Sequence, residues 1–393
     1  MVNKKNKVKF WIGRVHLWLG LTSGIFVCFL GITGCILAFE REIEDATQPY
    51  RFTPTQKSAL LPPSVLKNIG NKVLPGKKDP HSISYQPGKS AAIVYYHSNP
   101  DYYYIVYVNP YTGKVLKVKD MNWDFFNIVV DGHFYLWLPP GIGRPIVASA
   151  TLIFVIMLIS GMVLWWPKNR AASKQRFSIK FNAKWRRVNY DLHNVLGFYM
   201  AWVLIFIAFT GLVWGFQWFA KSVYWVSSGG KQAKEFYEAL SDTTAMSKAD
   251  KKVQAIDILW DKTRKDMPGF TGGIDVHVPE TDSASIEIAI NPDTDTYWKA
   301  DYIYYDQYTL KEIPIKHQYS RLSKATVADK IARMNYDIHV GAVLGLPGKI
   351  MAFFASLIAA SLPVTGFVIW LGRKKKKPRI NRNRMSGVAE AAN

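Results

Sequence analysis

The chain has 393 residues, a mean hydropathy near zero and a formal net charge of +21. An average near zero over this length conceals local extremes. The charge alone would admit a nucleic-acid partner, but its placement excludes one: twenty-one lysines and arginines sit in three short segments, and the rest of the chain is about neutral. In chain order, Lys4, Lys5, Lys7, Lys9 and Arg14 precede a window without Lys, Arg, Asp, Glu or His, Leu17 to Phe39. Further such windows are Pro145 to Trp166, Asn194 to Ala220 and Ile350 to Gly372. At about 1.5 Å per residue each is long enough to cross a hydrocarbon core of about 30 Å, so all four read as transmembrane helices in a lipid bilayer. A second basic cluster, from Lys168 to Arg187, lies between windows two and three, and a third, from Arg373 to Arg384, follows the fourth. With an even number of spans these clusters share one side, the cytoplasm by the positive-inside rule, and both termini are placed there. The organisation expected is a tail 1–16, first span 17–39, outer domain 40–143, second span 144–166, basic loop 167–192, third span 193–220, outer domain 221–348, fourth span 349–372 and basic tail 373–393.

The outer segments carry mixed local signals. In the first, 62–74 reads as a helix, and 81–85, 91–97 and 103–108 read as strands. Asn109-Pro-Tyr-Thr-Gly113 makes a turn into 114–118. The second repeats the order, with a helix over 249–265 and strands over 273–278, 284–290 and 300–305. Each reads as a small α+β unit. Cys28 and Cys35, the two cysteines of the chain, both fall inside the first window, so the outer domains have no disulfides. Ile32-Thr33-Gly34-Cys35 has the look of a lipoprotein cleavage box, but the apolar stretch is long for a signal and its residues recur in the third window.

That recurrence is an internal repeat. His16-Leu-Trp-Leu-Gly20 matches His193-Asn-Val-Leu-Gly197, and Thr33-Gly34 matches Thr210-Gly211. Asp131-Gly-His133 with Gly141-Ile-Gly143-Arg144 matches Asp337-Ile-His339 with Gly345-Leu-Pro-Gly348-Lys349, and Ser160-Gly161 matches Thr365-Gly366. Two spans per half make the repeats parallel. Four of the eight histidines, His16, His133, His193 and His339, thus fall at equivalent positions at or before span starts. Ionisable groups at such depth are functional candidates. Topology pairs His16 with His193 near the cytoplasmic side and His133 with His339 near the outer side. Two imidazoles make a poor zinc site, which wants about four ligands. Haem needs only two axial ligands, and small residues at Gly20, Gly24, Gly197 and Ala201 suit a flat macrocycle. Asp131, Asp191 and Asp337, each two residues before a histidine, read as helix N-caps. His81, His97, His277 and His317 and the tyrosines near them read as sheet packing. No complete dinucleotide fingerprint or P-loop occurs, so the chain brings no nucleotide domain.

Arg14-Val-His16-Leu-Trp-Leu-Gly20, the three Asp-x-His repeats and Val108-Asn-Pro-Tyr-Thr-Gly-Lys-Val115 resemble the PepSY-associated transmembrane family of bacterial iron-regulated membrane proteins, over nearly the whole chain. The fold implied is a mainly α membrane protein with four transmembrane helices and two periplasmic PepSY-like α+β domains. The chain is similar to the ferrisiderophore-reductase branch, whose members hold two b-type haems in the inner membrane and reduce ferric siderophores at the periplasmic face. By that resemblance His16, His193, His133 and His339 are the axial ligands of the haem irons, and the electron donor is a membrane quinol or a separate reductase. A cofactor-free PepSY sensor and an iron-compound permease are the competing readings. A permease is expected to place polar groups along a mid-membrane path, where this sequence offers only scattered serines and threonines.

Overall fold

A computed structural model describes residues 4–98, 101–167, 169, 173, 176–248 and 254–374. Four helices in it are long and apolar enough to cross a membrane: Lys7–Ala38, Pro140–Trp165, Trp185–Gly215 and Ala342–Arg373. The shortest has 26 residues, about 39 Å at about 1.5 Å each. Their side chains are arranged for lipid. Large apolar groups such as Ile25, Ile156, Ile159, Trp202, Phe206 and Phe354 are exposed, whereas many of the buried positions are small, including Ala201, Ala208, Ala355 and Ala359. Between helices in hydrocarbon there is no hydrophobic driving force, and close backbone approach through small residues takes its place. Gly31 shows how close: a Cβ there would lie 2.7 Å from the Ser356 carbonyl oxygen and 2.8 Å from the Ala360 nitrogen. The third helix contains one π-turn, Leu192–Leu196, and ends at Gly215 because Phe216 takes extended backbone.

The chain forms two compact units, one from residues 1–31, 153–204 and 355–393, the other from 32–152 and 205–354. The first is built of helical segments. The second contains an antiparallel sheet of eight strands: β1 Ser82–Tyr85, β2 Ala91–Ser98, β3 Asp101–Val108, β4 Val115–Asp120, β5 Gly273–His277, β6 Ile286–Asn291, β7 Asp301–Tyr305 and β8 Glu312–Ile313. The strand order is β4-β3-β2-β1-β5-β6-β7-β8. The two α+β segments expected as separate units therefore share one sheet, joined where β1 pairs antiparallel with β5, Ser82 opposite His277 and Tyr85 opposite Ile274. The expected helices appear as Pro63–Val73 and Ala255–Asp266; residues 249–253 of the second, and the part of the basic tail beyond Lys374, lie outside the described residues.

Alternation along the strands sorts two faces. Ile83, Ile93, Val106, Ile274, Val276, Ile286 and Ile288 point one way into a core with Leu66 of the first helix and Leu259 and Trp260 of the second. Ser64 of one helix donates from its amide to Asp257 of the other at 2.8 Å, which fastens the two halves on that face. The intervening positions, Ser84, Ala92, Tyr107, Asp275, His277 and Glu287, line a cavity on the opposite face.

Candidate functional site

The four histidines are held by three kinds of local structure. His16 is internal to the first long helix, whose regular turns begin at Lys4. His193 sits in the π-turn, a one-residue insertion that re-aims the side chains it carries. His133 and His339 occupy the last turns of short helices, Phe125–Tyr135 and Asn335–His339. Beyond each of these two lies a seat in which backbone packs on backbone. A Cβ on Gly143 would lie 2.0 Å from the Tyr135 carbonyl oxygen, and one on Gly348 would lie 2.1 Å from that of Gly341. Gly341 itself has φ +81°, which a side chain rarely adopts. The Gly-x-Gly-Arg and Gly-x-x-Gly-Lys motifs thus let the next helix press against the residue two beyond each histidine.

The three aspartates are not N-caps. Asp124 caps the helix of His133, accepting from the amides of Phe126 at 3.1 Å and Asn127 at 3.2 Å, so Asp131 falls within the helix. Asp191 is 2 % exposed and accepts from Arg187 Nε at 2.9 Å. Asp337 is fully buried and accepts from the amides of Tyr297 and Trp298, at 3.1 and 2.9 Å. It anchors the strap before β7 to the turn that carries His339. Each helix begins earlier than the Asp-x-His spacing implied, and of the residues at the three true starts, Asp124, Lys184 and Met334, only Asp124 makes a side-chain cap.

Every one of the four imidazoles meets a helix hydroxyl through Nδ1. His16 is 2.8 Å from Ser160 Oγ, His193 is 2.9 Å from Thr365 Oγ1, His133 is 2.7 Å from Thr33 Oγ1 and His339 is 2.9 Å from Thr210 Oγ1. These are the hydroxyls of the repeated Ser-Gly and Thr-Gly pairs. The glycines complete three of the seats: a Cβ on Gly161, Gly366 or Gly211 would lie 3.4, 3.2 or 3.6 Å from Cε1 of His16, His193 or His339. In the first unit His16 and His193 line one cavity of about 370 Å³ with Gly20, Gly24 and Gly197, and with Arg176 and Arg373 among its residues. Gly20 and Gly24 also abut Met157 and Pro363 of neighbouring helices, so they serve packing as well; Ala201 is buried but is not part of the lining. In the second unit the rings of His133 and His339 have centroids 6.1 Å apart at 73°, and Trp214 stands edge-on 5.2 Å from His339.

Chemically, each pair offers two imidazoles and little else. Among the described residues no group of three or more His, Cys, Asp or Glu is placed to hold a bare metal ion. The donor set suits a metal that brings its own equatorial ligands, and the glycine-floored cavity suits a flat carrier of it.

The cavity beneath the sheet, about 540 Å³, is of different character. Its lining includes Tyr336, Val340 and Ala342, which flank His339, together with Glu40, Arg41 and Lys349. Beside it runs a buried ion network in which Lys119 reaches Glu44 at 2.9 Å and Asp124 at 2.8 Å, while Arg51 pairs with Glu44 and Asp45. Burial, with the Glu44 and Asp124 carboxylates next, pushes Glu40 up to about 7. A carboxyl raised from the ordinary 4.5 keeps its proton in the fold at pH values where the unfolded chain has released it, so its contribution to stability declines as pH rises from 4.5 to about 7. Glu40→Gln should therefore raise the melting temperature at pH 8, by on the order of a few degrees, and leave it unchanged at pH 4, as read by thermal unfolding in detergent. Equal gains at both pH values would show that Glu40 does not titrate in this range. Burial likewise pushes His277 down to about 4, with His81 beside it, so at neutral pH its 3.7 Å approach to Glu287 is not an ion pair.

The structure brings His16 and His193 to one cavity and the rings of His133 and His339 face to face, the groupings expected from the repeat; the hydroxyls beside them were not among the expected residues. Their signal was present, since each Ser-Gly or Thr-Gly pair recurs in the repeat, but its meaning needs the partner helix. Compared with known protein families, residues 13–373 match the PepSY-associated TM region. No curated protein matches the chain.

Proposed function

The chain belongs to the family of the PepSY-associated TM region, and from that premise we propose that it is an inner-membrane reductase carrying two b-type haems, passing electrons outward to a ferric siderophore. The observation that carries the reading is the repeated arrangement of four imidazoles in two pairs, each ring tethered through Nδ1 so that Nε2 is left for a metal. His16 and His193 would hold one haem near the cytoplasmic side, and His133 and His339 the other near the periplasmic side, with the basic segments setting the orientation. Bound haem supplies a one-electron carrier at each pair. The protein's part is to fix the two ligands of each, to exclude water with the apolar walls around them, and to bring substrate within reach. Arg176 and Arg373 carry charges suited to propionate carboxylates at the inner pair.

The donor would be a membrane quinol or a separate cytoplasmic reductase. The acceptor would dock in the polar cavity under the sheet, whose lining runs on to either side of His339. A siderophore binds Fe³⁺ through hard oxygen ligands, and one added electron leaves a softer Fe²⁺ that those ligands hold far less tightly. The test is anaerobic stopped-flow reoxidation of dithionite-reduced protein by ferric hydroxamate and ferric catecholate chelates. Wild type should reoxidise far faster than it decays alone, and His133→Ala at least a hundred-fold more slowly than wild type. Wild-type reoxidation no faster than spontaneous decay with every chelate would overturn the reductase reading.

A further inference from the structure

The hydroxyls that meet the histidines have only one proton each, and those of Ser160, Thr365 and Thr210 lie within reach of carbonyls of their own helices. Ser160 Oγ donates to the Met157 carbonyl at 3.1 Å. Thr365 Oγ1 lies 3.0 Å from the Ser361 carbonyl and 3.1 Å from that of Leu362, and Thr210 Oγ1 lies 3.0 Å from Phe206 and 2.8 Å from Ile207. A helix carbonyl can only accept, so a hydroxyl that donates to its own helix is left to accept from the imidazole, and that arrangement puts the ring's proton on Nδ1. His339 supplies an independent check, because its Nδ1 is also 3.0 Å from the Ile207 carbonyl oxygen, which again can only accept. Thr33 takes the same place toward His133.

We infer that Ser160, Thr365, Thr33 and Thr210 are positioning residues that fix their histidines as the Nδ1–H tautomer and so present an unprotonated Nε2 for ligation. The tautomer stands on the hydrogen bonds alone; its consequence for haem rests on the function proposed above. Choosing a hydroxyl rather than a carboxylate has a physical reason. A carboxylate would orient the ring equally well but would bury a charge in the membrane and draw the ring toward imidazolate. A serine or threonine already satisfied by its helix is a neutral acceptor that needs no further partner. The adjoining glycine then lets the ring lie close against the same turn. The Ser-Gly or Thr-Gly pair is one device, with orientation from the hydroxyl in all four seats and clearance from the glycine in the three seats of His16, His193 and His339.

Thr365→Val keeps the shape and removes the acceptor; Thr365→Ser keeps the acceptor. Solid-state NMR of full-length, haem-free protein labelled with ¹⁵N-histidine reads the tautomer directly, with the His193 signal assigned by its loss in His193→Gln. Wild type and Thr365→Ser should show His193 protonated at Nδ1 and bare at Nε2, and Thr365→Val should lose that preference. On haem loading, Thr365→Val should retain about ten-fold less haem at the inner pair, with Thr365→Ser restored toward wild type. Ser160→Ala, which removes the hydroxyl facing His16 without adding bulk, gives the same reading should Thr365→Val fail to fold. Unchanged tautomer and haem retention in both hydroxyl-free variants would overturn the inference. Correct tautomers in a wild type that takes up no haem would instead leave the positioning role standing and remove the reductase reading.

Discussion

If the chain holds two haems as proposed, purified His193→Ala and His16→Ala proteins are expected to contain one haem per chain, and both variants should lose the same spectral component. The reason is geometric: these two rings line a single cavity, and among the described residues no third His, Cys, Asp or Glu is grouped with them. His133→Ala and His339→Ala should together spare that component and lose the other, since their rings face one another at 6.1 Å. Were a haem iron held by both rings of a pair, partial occupancy after loss of one ring would be seen as a high-spin band replacing a low-spin one in the visible and EPR spectra. Haem content by pyridine haemochrome, read beside those spectra, decides the matter. If His16→Ala and His133→Ala removed the same component, the pairing would be wrong.

The second large effect is expected at the glycine seats. Gly348→Ala places a methyl 2.1 Å from the Gly341 carbonyl oxygen, and Gly143→Ala places one 2.0 Å from that of Tyr135. Neither contact is with the free end of a side chain, so no rotamer relieves it and the backbone must move. Overpacking of this kind costs about 1–3 kcal/mol, and more where backbone meets backbone. The displaced turn holds His133 or His339 two residues away. Both variants should therefore lower the unfolding midpoint in detergent and, if haem is bound as proposed, broaden the component held by His133 and His339 before the other. Gly141→Ala is the control: nothing lies within 4 Å of its Cβ, and alanine is the better helix former, so stability should hold or rise. Midpoints of Gly348→Ala and Gly143→Ala equal to that of Gly141→Ala would sink the account.

How much of the molecule could be read in its sequence depends on the reach of each signal. The absence of charge over Leu17 to Phe39 and its three counterparts is a local property, and the helices there arise from it. Seven of the eight strands were found to within a few residues because alternation is local too, and β8, only two residues long, was not. Alternation states which side chains share a face, not which strand lies alongside, so the pairing of β1 with β5 could not be read. Asp131 has the chemistry of a cap, but Asp124 stands at the place where a cap is needed. The π-turn at His193 inserts a residue without any mark in composition. Thr210 illustrates the same limit at the site. Its recurrence with Thr33 was visible, but that it faces a histidine 129 residues later is a property of two packed elements.

The junction of β1 and β5 has a consequence for how this chain is made. Ser82 and His277 are neighbours in the sheet and about two hundred residues apart in the chain, with two membrane-crossing helices between them. When the first half has left the ribosome, β1 has β2 on one side and an open row of amides and carbonyls on the other. Nothing in that half pairs with it. The missing neighbour arrives only after the second and third helices have been inserted and the second outer segment has emerged, a wait of about ten seconds or more at ordinary synthesis rates. During that interval the half-sheet is a ready template for any extended segment, including the first half of another copy. A chain arrested between its halves should be the form most prone to aggregate, and the completed chain, whose β1 is covered on both sides, far less so.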